Sequence, residues 1–209
     1  MMRSTVQTHP THYRLDRSEH GFSRVRIRNS RGDKIRLRPL QEDDLPRLAA
    51  WWNDPAWMVL QQAAVFPTPE ASTVEMFRNW SRNDNPRGFG YSIEEIESGK
   101  LLGHVAVWGV DPVVRAGTLG IMIGGEFVEH GFGTDTMRVV LRYAFEELGL
   151  NKIELNVWEF NTRALRTYER VGFVVEGTRR AAAFHAGKFW SQIHMGILRS
   201  EYLEARQKP

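Results

Sequence analysis

The chain has 209 residues, 42% of them hydrophobic and 25% charged, with a net charge of +3 and no cysteine. That length buries one good core, and the composition is that of an ordinary globular chain. Disulfides, thiolate metal sites and cysteine nucleophiles are excluded, no apolar run approaches membrane-spanning length, and the first residues lack the apolar stretch of a secretory signal, so the expected location is cytoplasmic.

Charge is uneven along the chain. Residues 1–38 hold ten Arg or Lys and three Asp or Glu, a balance of +7 that leaves −4 for residues 39–209. A basic arm suits nucleic acid or an acidic partner. This one carries no nucleic-acid motif, and Arg outnumbers Lys 23 to 5 throughout. The preferred reading is a solvated tail and a strand with exposed arginines, so nucleic acid is disfavoured as a partner.

Residues 1–21 are polar and unpatterned, a flexible tail ahead of one domain over 22–209. Residues 25–29 and 34–38 alternate apolar and basic side chains about an Asn-Ser-Arg-Gly-Asp turn, which predicts an N-terminal β-hairpin. Residues 45–52 form a short helix with an acidic first turn, stopped by Asn53-Asp54-Pro55. A second helix runs over 70–80, and Asn83 to Gly88 is a loop. Strands over 90–96, 101–110 and 117–123 make an antiparallel meander. Met137, Val140, Leu141, Ala144, Phe145 and Leu148 share one face of the next helix, which Gly149 ends. A strand over 153–157 follows, then a helix over 162–171 capped by Asn161, then strands over 173–176 and 189–198 joined through a turn at 185–188.

The most informative feature is Gly131-Phe132-Gly133, between an apolar strand and that amphipathic helix. A Gly-x-Gly turn opening a helix lets backbone N–H groups approach phosphate oxygens. A dinucleotide fold would place the turn at the start of a βαβ unit with a third glycine, and a P-loop would need a lysine after Gly133; neither is present.

Three segments then carry a resemblance. They are Leu119 to Gly124 with Gly131 to Thr134; Ile153 to Asn161 with Arg163 to Tyr168 and Gly172-Phe173; and Glu176 to Arg179 with Gly187-Lys188 and His194-Met195. In order and spacing the chain resembles the GCN5-related N-acetyltransferase (GNAT) superfamily, and within it the ribosomal-protein N-terminal acetyltransferase-like (RimJ/RimL) branch. The resemblance implies an α/β fold of the α+β kind. Its mixed, mostly antiparallel sheet is flanked by helices and splayed at the acetyl-CoA site, here with the extra N-terminal hairpin. It implies that Ile121, Met122 and Ile123 hold the pantetheine arm of acetyl-CoA through their backbone. His130, Gly131, Phe132, Gly133 and Thr134 would hold the pyrophosphate, and Asn161 would touch the pantetheine or acetyl region.

The chemistry follows from such a donor. An amine attacking a thioester must be neutral, yet a free alkylamine with a pKa of about 10.4 is mostly protonated at neutral pH. The tetrahedral intermediate needs a donor for its oxyanion, for which a backbone N–H near Met122 is the candidate. The leaving thiolate takes a proton from a phenol or water. Tyr168 stands where the family often places that tyrosine, and its helical spacing equally fits an anchoring aromatic.

The chain departs from the family pattern at three places. Val128 replaces a Gln or Arg before the glycine turn, Thr118 replaces a glutamate before Gly120, and Ser191 replaces an Asp of the last strand. His104, His185 and Glu94 are left as possible bases, and none is chosen. The resemblance implies that the segment holding Trp57 and Phe66 lines the acceptor cleft, so these two are its expected walls, with at most one of Trp51 and Trp52 facing it. No metal is expected, because the histidines lack ligand spacing.

The function expected is acetyl transfer to a primary amine: a peptide or protein N-terminus, a polyamine or another small amine. The alternative is a non-catalytic acyl-CoA-binding protein on the same fold. No membrane partner is expected, and a homodimer paired through the last strand or the hairpin is left open.

Overall fold

The structure is a computed structural model and describes residues 30–62 and 65–207. The expected first strand of the N-terminal hairpin, residues 25–29, lies outside them. Its turn is described: Arg31 bridges Arg36, Gly32 N–H donates to the Ile35 carbonyl at 2.8 Å, and Leu37 N–H donates to that of Ser30 at 2.8 Å.

Strand β1 (Ile35–Arg38) leads into helices α1 (Leu45–Trp52), α2 (Pro55–Gln61) and α3 (Glu70–Trp80). Strands β2 (Phe89–Glu95), β3 (Leu101–Asp111) and β4 (Ala116–Ile123) follow. Helix α4 (Phe132–Arg142) runs on into a π turn, Tyr143–Glu147. Then come β5 (Lys152–Trp158), α5 (Thr162–Arg170), β6 (Val174–His185), β7 (Lys188–Leu198) and α6 (Arg199–Gln207). All seven strands lie in one sheet, in the order β1-β2-β3-β4-β5-β7-β6.

Every neighbouring pair is antiparallel except β4 and β5. These two run parallel and pair only over Ala116–Thr118 against Lys152–Glu154. Beyond Thr118 they separate, and this is the splay expected near Ile121. The main core lies between the sheet and α4, and includes Met137, Val140, Leu141, Ala144 and Phe145. A smaller core packs Leu45, Leu48, Trp51 and Phe77 on the other face, against Met122.

Four expectations need correction. Asn53-Asp54-Pro55 ends α1 but also starts α2: the Asp54 carboxylate accepts from Ala56 N–H at 2.9 Å, and proline suits the first helical position. Leu148 is 45% exposed rather than core. The π turn puts one extra residue into its turn, with Leu148 N–H donating to the Tyr143 carbonyl, and so rotates Leu148 off the buried face. Strand β6 extends to His185, nine residues past its expected end, through register shifts that alternation cannot reveal. Helix α6 has no counterpart among the expected elements.

Candidate active site

The splay leaves one side of β4 without a partner strand. Gly124 N–H donates to the Leu102 carbonyl at 2.9 Å, and the register from there to Thr118 is unbroken. Antiparallel pairing alternates, so the backbone groups of Met122 and Gly120 turn toward β3. Those of Ile121 and Ile123 turn toward the opening. Gln61 Nε2 reaches the Ile121 carbonyl from that side, at 3.5 Å. The N–H of Met122 is therefore committed to β3, and on this stretch of β4 it is the N–H groups of its two neighbours that open on the cleft. The Met122 side chain still lines the cleft.

A cavity of about 360 Å³ opens over the splay. The glycine turn forms one end of it. Gly131 has φ of +84°, a left-handed conformation that costs a side-chain-bearing residue about 1 kcal/mol or more. It caps α4, and its carbonyl accepts from Asp135 N–H at 3.1 Å. The N–H groups of Phe132, Gly133 and Thr134 belong to the first turn and have no intrahelical acceptor. Gly131, Gly133 and Thr134 line the cavity.

His130 and Phe132 stand differently. His130 is exposed, outside the cavity wall, and its Nδ1 lies 2.7 Å from the Val128 carbonyl. Phe132 is buried in the core. Phe132 can offer a ligand only its backbone. Val128 lines the cavity with an apolar side chain.

The turn is clamped from behind. The Asp135 carboxylate accepts from the N–H groups of Asp33, Lys34 and Ile35, at 3.2, 2.7 and 3.0 Å. Lys34 Nζ donates to the His130 carbonyl at 2.9 Å. A Cβ at Gly32 would stand 2.5 Å from the Asp135 oxygens, so the close approach requires glycine there.

Helix α5 forms the facing wall. The Asn161 side chain accepts from Ala164 N–H at 3.2 Å as the cap of that helix, and Asn161 also lines the cavity. Tyr168 lines it too, with its ring against Phe173. Burial pushes its phenol up to about 12, against a smaller opposing pull from the Arg163 charge. The phenol thus holds its proton throughout the neutral range.

Trp51 and Trp57 both line the cavity. Trp52 instead packs edge-on against Phe77 and Trp80, so only one of the adjacent pair faces the cleft. Trp51 Nε1 donates to Glu126 at 3.0 Å, and Arg47 pairs with the same carboxylate. Phe66 is 73% exposed and lies outside the cavity, so it is not a wall of this cleft.

The possible bases are all elsewhere. Glu94 is buried in ion pairs with Arg36 and Arg38. His104 is buried, bonded to Ser81 Oγ at 2.8 Å, and its pKa is lowered to about 4 by desolvation, which Asp44 only partly offsets. His185, Ser191 and Thr118 do not reach the cavity wall.

Residues not foreseen from sequence also line the cleft: Leu60 and Gln61 from α2, Glu129 from the loop, and Arg163, Arg166 and Arg170 from α5. Arg163 lies over the Trp57 ring at 5.1 Å. The spacing of the three arginines along one helix face was a signal in the sequence; the crossing of α2 over β4 was not. Among the described residues no group of three or more His, Asp or Glu gathers as a metal site.

A mixed sheet split beside a glycine turn is a cradle for a long ligand with an anionic end. The model of the acetyltransferase (GNAT) domain matches residues 34–174, and the chain belongs to this family. It is similar to the spermidine N(1)-acetyltransferase of Escherichia coli K12, 26% identical over 175 residues that cover 84% of this chain and 91% of that one. It is 31% identical over 104 residues to a putative ribosomal N-acetyltransferase of Bacillus subtilis, covering 50% of this chain and 57% of that one. Among solved structures it resembles the spermidine N-acetyltransferase of Vibrio cholerae in complex with CoA and spermine. That likeness has a TM-score of 0.72 and 28% identity, over 81% of this chain and 98% of that one. The protein is an N-acetyltransferase.

Proposed function

We propose that the protein transfers the acetyl group of acetyl-CoA directly to a primary amine, with the pantetheine arm in the splay and the pyrophosphate at the glycine turn. One observation carries this reading. Ile121 and Ile123, whose N–H groups turn away from β3, first-turn residues Gly133 and Thr134 of α4, and Tyr168 all line a single cavity. Anionic oxygens at a helix N-terminus gain from both the free donors and the helix dipole.

The neutral amine attacks the thioester carbonyl carbon. The oxyanion that forms takes a hydrogen bond from the N–H of Ile121 or Ile123. As the intermediate collapses, the C–S bond breaks and the thiolate takes the proton of Tyr168. The acceptor nitrogen gives its own proton to water, since Glu94, His104 and His185 do not reach the cavity and its one carboxylate, Glu129, stands exposed at the rim. Tyr168 then regains a proton from solvent.

The acceptor in this reading is an aliphatic polyamine. The support is that the relative aligned over most of this chain is named for spermidine, whereas the one named for the ribosome aligns over half of it. Acetylation of a ribosomal-protein N-terminus is the competing acceptor.

Purified protein with acetyl-CoA and a panel of spermidine, spermine and N-terminal peptides tests this. CoA release with the polyamines is expected, and Tyr168→Phe lowers kcat by about 100-fold or more. Release only with peptides overturns the polyamine assignment. Release that Tyr168→Phe leaves unchanged overturns the tyrosine's role. Binding of acetyl-CoA with no amine acetylated returns the protein to a non-catalytic acyl-CoA binder.

A further inference from the structure

Helix α2 rests on β4 at two points beside the splay. Trp57, Leu60 and Gln61 fall at i, i+3 and i+4, and all three line the cavity. The Trp57 indole lies against Gly125, so closely that a Cβ there would stand 2.2 Å from its Nε1. One turn further, Gln61 Nε2 donates to the Ile121 carbonyl at 3.5 Å. A carboxamide held by its NH2 group still has its oxygen to offer. Gln61 Oε1 has no hydrogen-bond partner among the described residues, and the residue lines the cleft beside the open backbone of Ile121.

The transfer step needs an acceptor at that place. A neutral amine must keep its lone pair on the thioester carbon, so its N–H groups have to be held in one orientation. An uncharged acceptor suits this, because a carboxylate would favour the ammonium and keep the lone pair protonated. The other uncharged acceptors of the wall are engaged. The Asn161 side-chain oxygen caps α5 at Ala164 N–H, the Thr167 hydroxyl donates to the Arg163 carbonyl, and Thr134 belongs to the glycine turn. Glu129 is charged and exposed, on the loop before that turn.

We propose that Gln61 holds the attacking amine: its Oε1 takes a hydrogen bond from the acceptor nitrogen while its Nε2 stays on the Ile121 carbonyl. The inference rests on acetyl transfer to an amine in this cleft. As the N–C bond forms the nitrogen becomes positive, so its bond to Gln61 strengthens toward the transition state. Gln61 neither gains nor loses a proton; that of the nitrogen goes to water and that of Tyr168 to the thiolate. Removing the carboxamide therefore lowers kcat rather than donor affinity.

The experiment compares the unaltered protein with Gln61→Leu and Gln61→Glu. Steady-state rates are measured across the neutral and alkaline range, with whichever amine of the panel releases CoA fastest, and calorimetry gives the dissociation constant of acetyl-CoA. Gln61→Leu is expected to lower kcat about tenfold, the yield of one hydrogen bond made in the transition state, and to change acetyl-CoA affinity by less than about twofold. Gln61→Glu puts a carboxylate against the same nitrogen and favours the bound ammonium, so the rise of kcat with pH moves to higher pH. Tyr168, Glu129 and the three arginines of α5 line the cleft in both proteins alike, so the difference belongs to position 61. A side chain that only packs α2 would leave that profile in place.

An unchanged kcat in Gln61→Leu overturns the proposal. So does a loss confined to acetyl-CoA affinity, which makes Gln61 a contact of the donor, and so does a Gln61→Glu profile that rises at the same pH as the unaltered protein's. If the unaltered protein acetylates no amine, the transfer reading fails and this inference fails with it; if transfer proceeds and Gln61→Leu does not slow it, only this inference fails.

Discussion

His104 shows how one residue can bear on stability without touching the chemistry. It lies between Trp80 and Phe77, buried to 3% exposure, with Ser81 Oγ as its hydrogen-bond partner. Its folded pKa is lowered to about 4, chiefly by desolvation. The unfolded chain takes up this proton near 6.5, so between the two values it binds more protons than the folded chain. The stability contributed by neutral His104 is full above pH 6.5 and is lost as pH falls toward 4, about 3 kcal/mol in all. Urea titrations at pH 7.5 and 4.5 on the unaltered protein and on His104→Gln check this. The variant is expected to be less stable at pH 7.5 and to lose less on acidification. Equal acid losses in both proteins would falsify the assignment.

At the scale of the element, the junction of β1 with α4 ties distant parts of the chain through one carboxylate. The Asp135 carboxylate is 7% exposed and accepts three successive backbone N–H groups from a segment a hundred residues away. It also lies in the first turn of α4, where negative charge complements the dipole. Asp135→Ala strands those donors, and a cost of about 2–4 kcal/mol is expected. Asp135→Asn keeps the shape and one acceptor oxygen and is expected to cost about half as much. Both variants loosen the backbone that carries Lys34, whose Nζ holds the His130 carbonyl beside the glycine turn, so acetyl-CoA should bind them several-fold more weakly. Denaturant midpoints and donor titrations measure the two effects, and an alanine variant as stable as the unaltered protein removes the clamp from the account.

The same scale shows what the sequence makes legible. The apolar face of α4 and the cap at Asn161 are local patterns, and the structure has both. The end of that face, at Leu148, is not legible in the sequence, because a π turn changes the helical period without altering composition. Helix α2 was hidden because Asn-Asp-Pro signals a stop and a start alike. The cleft residues carried by the glycine turn and α5 sit in contiguous motifs. Gln61 and Trp51 enter the site only because α1 and α2 cross over β4, and crossing is fixed by packing between elements. Phe66 is expected at the cleft from its segment's place in the family and its aromatic character, and nothing in one sequence marks which way a loop residue turns.

For the whole molecule, the sheet is two sheets held by a short seam. Strands β1 to β4 form one half and β5, β7 and β6 the other, joined by three register pairs between β4 and β5. Packing of α4 and α5 supplies the rest of the join. A donor lying in the splay would touch β4 on one side and α5 on the other, and so would tie the halves together. Binding to the folded state alone stabilises by about 2.7 kcal/mol at a hundred times the dissociation constant. For a chain of this size that corresponds to a rise in Tm of about 5–10 °C. Acetyl-CoA is expected to produce it and NAD is not, since the chain lacks the dinucleotide fingerprint. Hydrogen exchange should locate the effect: the amides of Ile121 and Ile123, open to the cleft without donor, gain protection, while Met122, already paired to β3, changes little. Protection at Met122 but not at its neighbours would reverse the alternation argued for β4 and return the oxyanion role to that residue.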